Sequence, residues 1–376
     1  MVPQKLTAIN SGQDRIGAHV PHSDLSAPIA GRGFARALLA WYDRKKRDLP
    51  WRRNPDAYRT LVSELMLQQT VVATVVPYFE RFTARFPNLQ TLAAACEDEV
   101  LALWSGLGYY SRGRNLYRTA RLVVNELGGK IPSEEDDLQQ LPGVGAYTAA
   151  AVAAIAFSRR TLPVDGNVAR VLARIFGERG AIDRTDVRAR LRLQGQALVP
   201  ARRPGDFAQA VMELGALCCV PREPRCRECP MTRFCRAHAD QTTDSIPVRA
   251  KRAAKRQVRM ACVAVERRGR LLLVRRPAGT LLAGTWVLPL QELRAGETAA
   301  QAAERALSNL GLRARGAPVP VGDLRHIFTH RDATASVFRA RAQGDVNCAE
   351  ARWVRVDELA SLPLSSFARK MIAQAG

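Results

Sequence analysis

Four cysteines, Cys219, Cys226, Cys229 and Cys235, fall within 17 residues at x6-x2-x5 spacing. Four thiolates this close can hold one metal centre, either a tetrahedral zinc or a [4Fe–4S] cluster. Zinc sites usually pair two short C-x2-C units, and only Cys226 and Cys229 form one here. Cys218 would lengthen the first spacing to x7 and reads as a buried neighbour. Cys96, Cys262 and Cys348 stand apart. The first thirty residues are polar and carry no charged-then-apolar export pattern, so a reducing, cytoplasmic compartment is expected. There a cysteine cluster binds metal rather than forming disulfides.

Two carboxylates have opposed surroundings. Glu64 lies among Leu61, Val62, Leu65 and Met66. A carboxyl desolvated there would hold its proton near neutral pH, as a general acid must. Asp165, in Val164-Asp165-Gly166-Asn167-Val168, precedes a helix. Backbone N–H groups at that helix start would keep it ionised. One protonated acid and one lasting carboxylate is the pair that breaks a glycosidic bond. Taken alone, each has a plainer reading: a solvated helix face for Glu64 and an N-cap for Asp165.

Leu141-Pro142-Gly143-Val144-Gly145 precedes an apolar helix. Gly143 and Gly145 let the turn approach a ligand, and the helix start offers free N–H groups and a positive dipole end. This is a helix–hairpin–helix pattern, suited to gripping DNA phosphates whatever the base sequence.

These groups need a scaffold. Phe34, Leu38, Trp41 and Tyr42 form one helical stripe, and Leu49-Pro50-Trp51 ends that helix. Residues 61–79, 97–104, 114–126 and 147–157 also read as helices, and no alternating strand pattern precedes residue 240. Beyond it, residues 240–258 are polar and then basic, a linker signature. Residues 260–265 and 271–274 flank Arg267-Arg268-Gly269-Arg270 as a hairpin. Ala299, Ala303, Leu307 and Leu310 form a helical stripe, and residues 334–340 and 352–356 read as strands. The expected organisation is α+β multidomain: a tail (1–28), an all-α domain (29–239), a basic linker (240–258) and an α/β domain (259–376).

The 376 residues carry a formal net charge of +22, which points to a polyanionic partner. A hydrophobic content of 47% excludes wholesale disorder. The longest apolar run, residues 147–157, is well short of the roughly 20 needed to span a membrane. Nucleic acid is the expected partner.

The strings around these residues resemble the MutY-type adenine DNA glycosylases. They are S-E-L-M-L-Q-Q-T at 63–70, V-D-G-N-V at 164–168, L-P-W-R at 49–52, V-V-P-Y-F-E-R-F at 75–82 and L-W-S-G-L-G-Y-Y-S-R at 103–112. The cysteine spacing matches the iron–sulfur loop of that family and of endonuclease III. The resemblance implies an all-α helix–hairpin–helix glycosylase fold with a [4Fe–4S] cluster on the four cysteines. It implies a monomer, associated with the nucleoid if bacterial, acting on double-stranded DNA that carries adenine opposite 8-oxoguanine or guanine. Glu64 matches the acid that protonates adenine N7, and Asp165 the carboxylate beside the sugar cation, with Asn167 next to it. Gln69, Leu107 and Tyr109 match residues that wedge into the stack once the base has flipped, a step costing on the order of a few kcal/mol. Arg47, Trp51, Arg52 and Glu213 match the adenine-pocket wall, although Trp51 also reads as a core residue. The alternative is an endonuclease III-like lyase acting on oxidised pyrimidines. In that relative a lysine attacks the sugar where this chain has Tyr147, and a phenol cannot form the imine. A monofunctional enzyme is expected.

The second domain resembles the Nudix-like C-terminal domain of the same family, through L-A-G-T-W-V-L-P at 282–289. Where a Nudix helix has paired glutamates for Mg²⁺, this chain has Ser308 and Asn309, so pyrophosphatase activity is not expected. Phe328-Thr329-His330 aligns with the loop that probes 8-oxoguanine, with Thr in place of the usual Ser.

Overall fold

The structure is a computed structural model that describes residues 32–250, 254–277 and 279–376. The expected tail, residues 1–28, lies outside the described residues. The first part is helical: α1 (Arg32–Lys45), α2 (Pro50–Arg53), α3 (Ala57–Leu67), α4 (Val72–Arg85), α5 (Leu89–Ala94), α6 (Glu97–Trp104), α7 (Tyr110–Glu126), α8 (Glu135–Gln139), α9 (Ala146–Phe157), α10 (Gly166–Phe176), α11 (Thr185–Ala197), α12 (Pro204–Leu217) and α13 (Arg236–Ala239). Among the described residues no strand precedes Arg256, and no helix is long and apolar enough to cross a membrane.

The helices build two cores. One gathers α1, α10, α11 and α12 around Leu38, Leu172 and Phe207. The other gathers α2 to α9 around Leu61, Phe79, Phe82 and Trp104. Helix α9 serves both, with Ala154 in the first and Ala153 in the second. Its sequence, AYTAAAVAAIAF, is apolar on every side, which suits a helix enclosed by neighbours. Alanine also permits close approach, and a side chain on Gly205 at the start of α12 would strike the Ala154 carbonyl at 2.5 Å.

Two departures from the sequence reading occur in this half. Residues 61–79 form two helices rather than one, broken between Leu67 and Val72, with Gln69 at φ +55°. No Gly or Pro marks that break. A buried guanidinium from α7 (below) takes the carbonyls of Leu65, Met66 and Gln68. Pro50 also does more than end a helix; it opens the short α2, where its missing N–H costs nothing.

The polar stretch read as a linker is folded at both ends. Ile246 is buried in the first core, the Ile182 N–H donates to the Val248 carbonyl at 3.0 Å, and the Ala250 N–H donates to the Asp183 carboxylate at 3.2 Å. At the other end the first strand already begins at Arg256. Two apolar residues in a charged run were too few to show a periodicity.

The second part is α/β: β1 (Arg256–Arg267), β2 (Arg270–Arg275), β3 (Trp286–Val287), β4 (Leu290–Glu292), α14 (Ala299–Ser308), β5 (Arg313–Ala314), β6 (Val319–Ile327), β7 (Arg331–Ala340), β8 (Ala342–Gln343), β9 (Ala351–Arg355) and α15 (Ser366–Ala375). The main sheet runs β3-β2-β1-β7-β6, with β4 on β1 and β9 on β2. Strands β1 and β7 pair in parallel from Arg256↔Arg331 to Val265↔Ala340, and the other pairings are antiparallel. β1 is buried on both faces, α14 covering one and α15 the other, which is why 260–265 reads as a continuous apolar run.

Candidate active site

The two helical cores meet along an open cleft of about 1220 Å³. Its lining brings together ten of the residues singled out in the sequence: Arg47, Trp51, Arg52, Glu64, Gln69, Gly145, Tyr147, Asp165, Asn167 and Glu213. They arrive from separate elements: Glu64 from α3, Tyr147 from the first turn of α9, Asp165 and Asn167 from the start of α10, Glu213 from α12, and Arg47 and Arg52 from around α2.

Glu64 is 6% exposed, and its Oε2 accepts a 2.9 Å hydrogen bond from the Tyr147 hydroxyl. Burial pushes its pKa up to about 7 and the Asp165 carboxylate pushes the same way; the Tyr147 bond and the Arg52 charge oppose. At neutral pH this carboxyl is poised between its two forms. Burial also raises the Tyr147 phenol well above its ordinary value, so it remains a donor.

Asp165 caps α10. Its Oδ1 accepts from the Val168 N–H at 2.7 Å and its Oδ2 from Asn167 Nδ2 at 3.2 Å. The side chain is half-buried and lines the same cleft as Glu64. The N-cap reading therefore holds, and the same carboxylate lines the cleft.

Glu213 is a second buried glutamate with an opposite environment. It accepts from Arg47 Nε at 2.7 Å, Arg47 Nη2 at 2.9 Å, the Arg47 N–H at 3.0 Å and Arg52 Nη2 at 3.0 Å. Burial by itself would raise its pKa, but the two guanidiniums outweigh it and hold the carboxyl at about 2. Arg52 also donates to the Gln209 side chain and to the Arg47 carbonyl, so this wall is a closed polar network. Trp51 lines the cleft and also packs edge-on against Phe79 at 5.4 Å, as a core residue does.

The hairpin joins α8 to α9. Leu141 and Val144 are buried, and Gly143 and Gly145 are exposed. Gly143 has φ +77°, and a Cβ there would strike the Asn115 side chain at 2.5 Å. No other residue type fits that turn.

Gln69 is exposed at the cleft's edge, and the remaining expected residues lie outside the cleft. Tyr109 is exposed, but Leu107 is only 6% exposed and packs into the second core, so it does not project as a wedge. Thr329 and His330 are exposed, but the Phe328 ring packs against His326 and Phe367 at 4.5 and 5.5 Å. This loop is the tight turn between β6 and β7, with Lys255 Nζ on the Phe328 carbonyl at 3.0 Å. The Tyr109 hydroxyl lies 2.6 Å from Thr329 Oγ1, so two residues read as separate devices touch across the domain boundary.

The Cys loop wraps the far end of α10. Cys218, Cys219, Cys226, Cys229 and Cys235 face one small cavity of about 20 Å³. Among the described residues, however, no three His, Cys, Asp or Glu side chains are drawn to a common ion. Cys218 donates to the Arg225 carbonyl at 3.3 Å and also lies beside Cys229. Arg174, 1% exposed, places Nη1 3.4 Å from Cys219 Sγ, and Arg170 Nε donates to the Cys219 carbonyl at 2.9 Å. A buried guanidinium beside a sulfur suits a thiolate ligand. Neither arginine was singled out from the sequence, and nor was Arg112. Single charges inside amphipathic helices give no sign of where their heads point.

Two family models match: a HhH-GPD superfamily base excision DNA repair protein over residues 62–195 and a NUDIX domain over residues 260–374. Fold and site together define a helix–hairpin–helix DNA glycosylase of base excision repair with an appended Nudix-like domain. The chain is 39% identical to the adenine DNA glycosylase of Rattus norvegicus over 90% of its length and 77% of the relative's. It is also 39% identical to that of Homo sapiens, over 90% of this chain and 73% of the relative. A thermostable thymine-DNA glycosylase structure superimposes with a TM-score of 0.51 at 30% identity, covering 55% of this chain and 95% of the other. The chain belongs to the MutY-type adenine DNA glycosylase family.

Proposed function

We propose that this enzyme hydrolyses the N-glycosidic bond of adenine mispaired with 8-oxoguanine or guanine, and does so without cutting the strand. The observation that carries the reading is the buried Glu64 carboxyl, poised near pH 7 in the same cleft as Asp165. Glu64 gives its proton to the leaving base, with adenine N7 as the acceptor. Bond breaking leaves positive charge on the sugar, and the Asp165 carboxylate, held by Val168 N–H and Asn167, stabilises or captures it. Tyr147 donates to Glu64 and orients it. A phenol stands where a lyase needs an amine, so no Schiff base forms. The Glu213–Arg47–Arg52 wall shapes the base pocket, Gln69 and Tyr109 fill the vacated stack, and the 328–330 loop reads the opposite base.

Cys219, Cys226, Cys229 and Cys235 would hold a [4Fe–4S] cluster. Four sulfurs facing one cavity and a guanidinium on Cys219 fit a thiolate-bound centre. When bound, it would cross-link the loop between α12 and α13. Iron and acid-labile sulfide analysis of anaerobically purified protein tests this, and stoichiometric zinc would refute it.

The test of the activity is excision on duplexes carrying A opposite 8-oxoguanine, A opposite G, and thymine glycol. Strand breaks should appear with the first two and only after hot alkali. Cleavage of thymine glycol alone, or borohydride trapping as strong as a true lyase gives, would reverse the reading in favour of an endonuclease III-like enzyme.

A further inference from the structure

Arg112 is a buried charge without a carboxylate. It is 6% exposed, and its hydrogen-bond partners are all carbonyls or a hydroxyl. Nη1 donates to the carbonyls of Leu65 at 2.9 Å, Met66 at 2.8 Å and Gln68. Nη2 donates to Thr70 Oγ1 at 3.2 Å and to the carbonyls of Leu107 at 3.2 Å and Gly108 at 3.0 Å. The guanidinium lies 5.7 Å from the Trp104 ring and 5.3 Å from that of Tyr109. Sequestering such a charge costs several kcal/mol unless fixed dipoles replace its water. Here the dipoles come from two places. One is the C-terminal end of α3, whose last carbonyls have no partner within the helix and whose dipole end is negative. The other is the loop between α6 and α7.

That loop is held from its other side by the second domain. Ser105 Oγ and the Tyr110 hydroxyl both donate to the Leu364 carbonyl, at 2.9 and 2.8 Å. Arg369 Nη2 reaches Ser105 Oγ at 3.0 Å, and Arg114 Nη1 reaches the Ala283 carbonyl at 2.5 Å. Glu64 sits one residue before the first carbonyl that Arg112 holds, and Gln69 sits between two of its other acceptors.

We infer that Arg112 is a positioning residue through which the second domain's hold on residues 105–114 sets the end of α3, and with it Glu64 and Gln69. The inference rests on the role proposed above for Glu64. A planar fork can serve both loops at once, whereas the compact ammonium of lysine cannot span them. A purely structural arginine would weaken the fold when replaced but leave the chemical step of the folded enzyme intact. Arg112 should instead set the step itself.

The test uses the full-length chain on a duplex with A opposite 8-oxoguanine. Arg112→Lys, Tyr110→Phe and the double variant are compared for the single-turnover rate at saturating enzyme, duplex affinity and thermal midpoint. Arg112→Lys should lower the saturating rate about 100-fold, the loss that follows a displacement of about 1 Å at a reacting group. Duplex affinity, set by phosphate contacts, should hold. Tyr110→Phe acts by the same route, so the double variant should lose less than the product of the two single losses. A folded Arg112→Lys enzyme with the wild-type rate, or losses that simply multiply, would overturn the inference. If the lysine variant does not fold, Ser105→Ala with Tyr110→Phe carries the test. It removes both donors to Leu364 and must slow excision without weakening binding; an unchanged rate overturns the inference. A wild-type enzyme that excises no adenine would refute the reading of Glu64, which is a different result.

Discussion

Two glutamates line the same cleft and are both buried, Glu64 at 6% and Glu213 at 1% exposure, yet they sit at opposite ends of the carboxylate range. Glu64 has a phenol for a partner and lies near pH 7; Glu213 has two guanidiniums and lies near 2. Burial is common to both, so burial does not decide the role. The partner decides it: a neutral donor leaves a carboxyl able to carry a proton, while a pair of fixed cations makes it a permanent anion and a building block.

The comparison can be broken most decisively by Glu64→Gln. An amide fills the same space but delivers no proton, so excision should fall by about 10²–10⁴-fold, the range of general acid catalysis, while duplex binding persists. Glu213→Gln should do the reverse in kind. It leaves Arg47 and Arg52 without their anion and should destabilise the fold by roughly 2–3 kcal/mol in urea denaturation. That is less than the ~3–5 kcal/mol for a fully buried pair, because Arg47 keeps about a third of its side chain in water.

The pH dependence separates them further. Because Glu64 titrates near 7 when folded and near 4.5 when not, the folded state binds the extra proton between those values. Its contribution to stability is therefore full below pH 4.5 and is lost as pH rises toward 7. Glu64→Gln should remove that loss, gaining about 3 kcal/mol over wild type above pH 7. An inactive variant more stable than its parent at pH 8 and not at pH 4 is the expected signature; equal stability at both would refute it. Glu213 behaves oppositely, its contribution present above pH 4.5 and lost toward pH 2.

The smallest effect concerns Tyr147. Its bond to Glu64 favours the ionised form, so Tyr147→Phe should move the alkaline limb of the excision profile to higher pH, with a modest drop in rate. A limb displaced to lower pH would mean that the phenol stabilises the protonated acid instead.

Much of the site was legible in the sequence because its parts are local. The four-cysteine spacing, the Leu141–Gly145 turn and the apolar setting of Glu64 each occupy a few consecutive residues, so local chemistry suffices to read them. The Glu213 wall was available only through resemblance, since nothing around Glu213 in α12 shows that Arg47 and Arg52, more than 150 positions away, will reach it. Nothing in the sequence showed that Arg112 would be buried, or that its guanidinium would take the carbonyls where one expected helix divides into two. Leu107 and Phe328 were expected to reach into DNA, but their side chains are packed inward, which residue type alone cannot show.

The sequence by itself determined the kinds of groups present: a thiol-rich loop, a glycine hairpin at a helix start, a desolvated acid and a capped carboxylate, each written into neighbouring residues and their backbone needs. Tertiary structure decided which of them act together. It put α3, α9, α10 and α12 around one cleft, gave one buried glutamate a phenol and the other two arginines, and tied the second domain through residues 105–114 to the helix that carries Glu64. Those outcomes depend on distances between segments far apart in the chain, and a pKa or a hinge is a property of such distances.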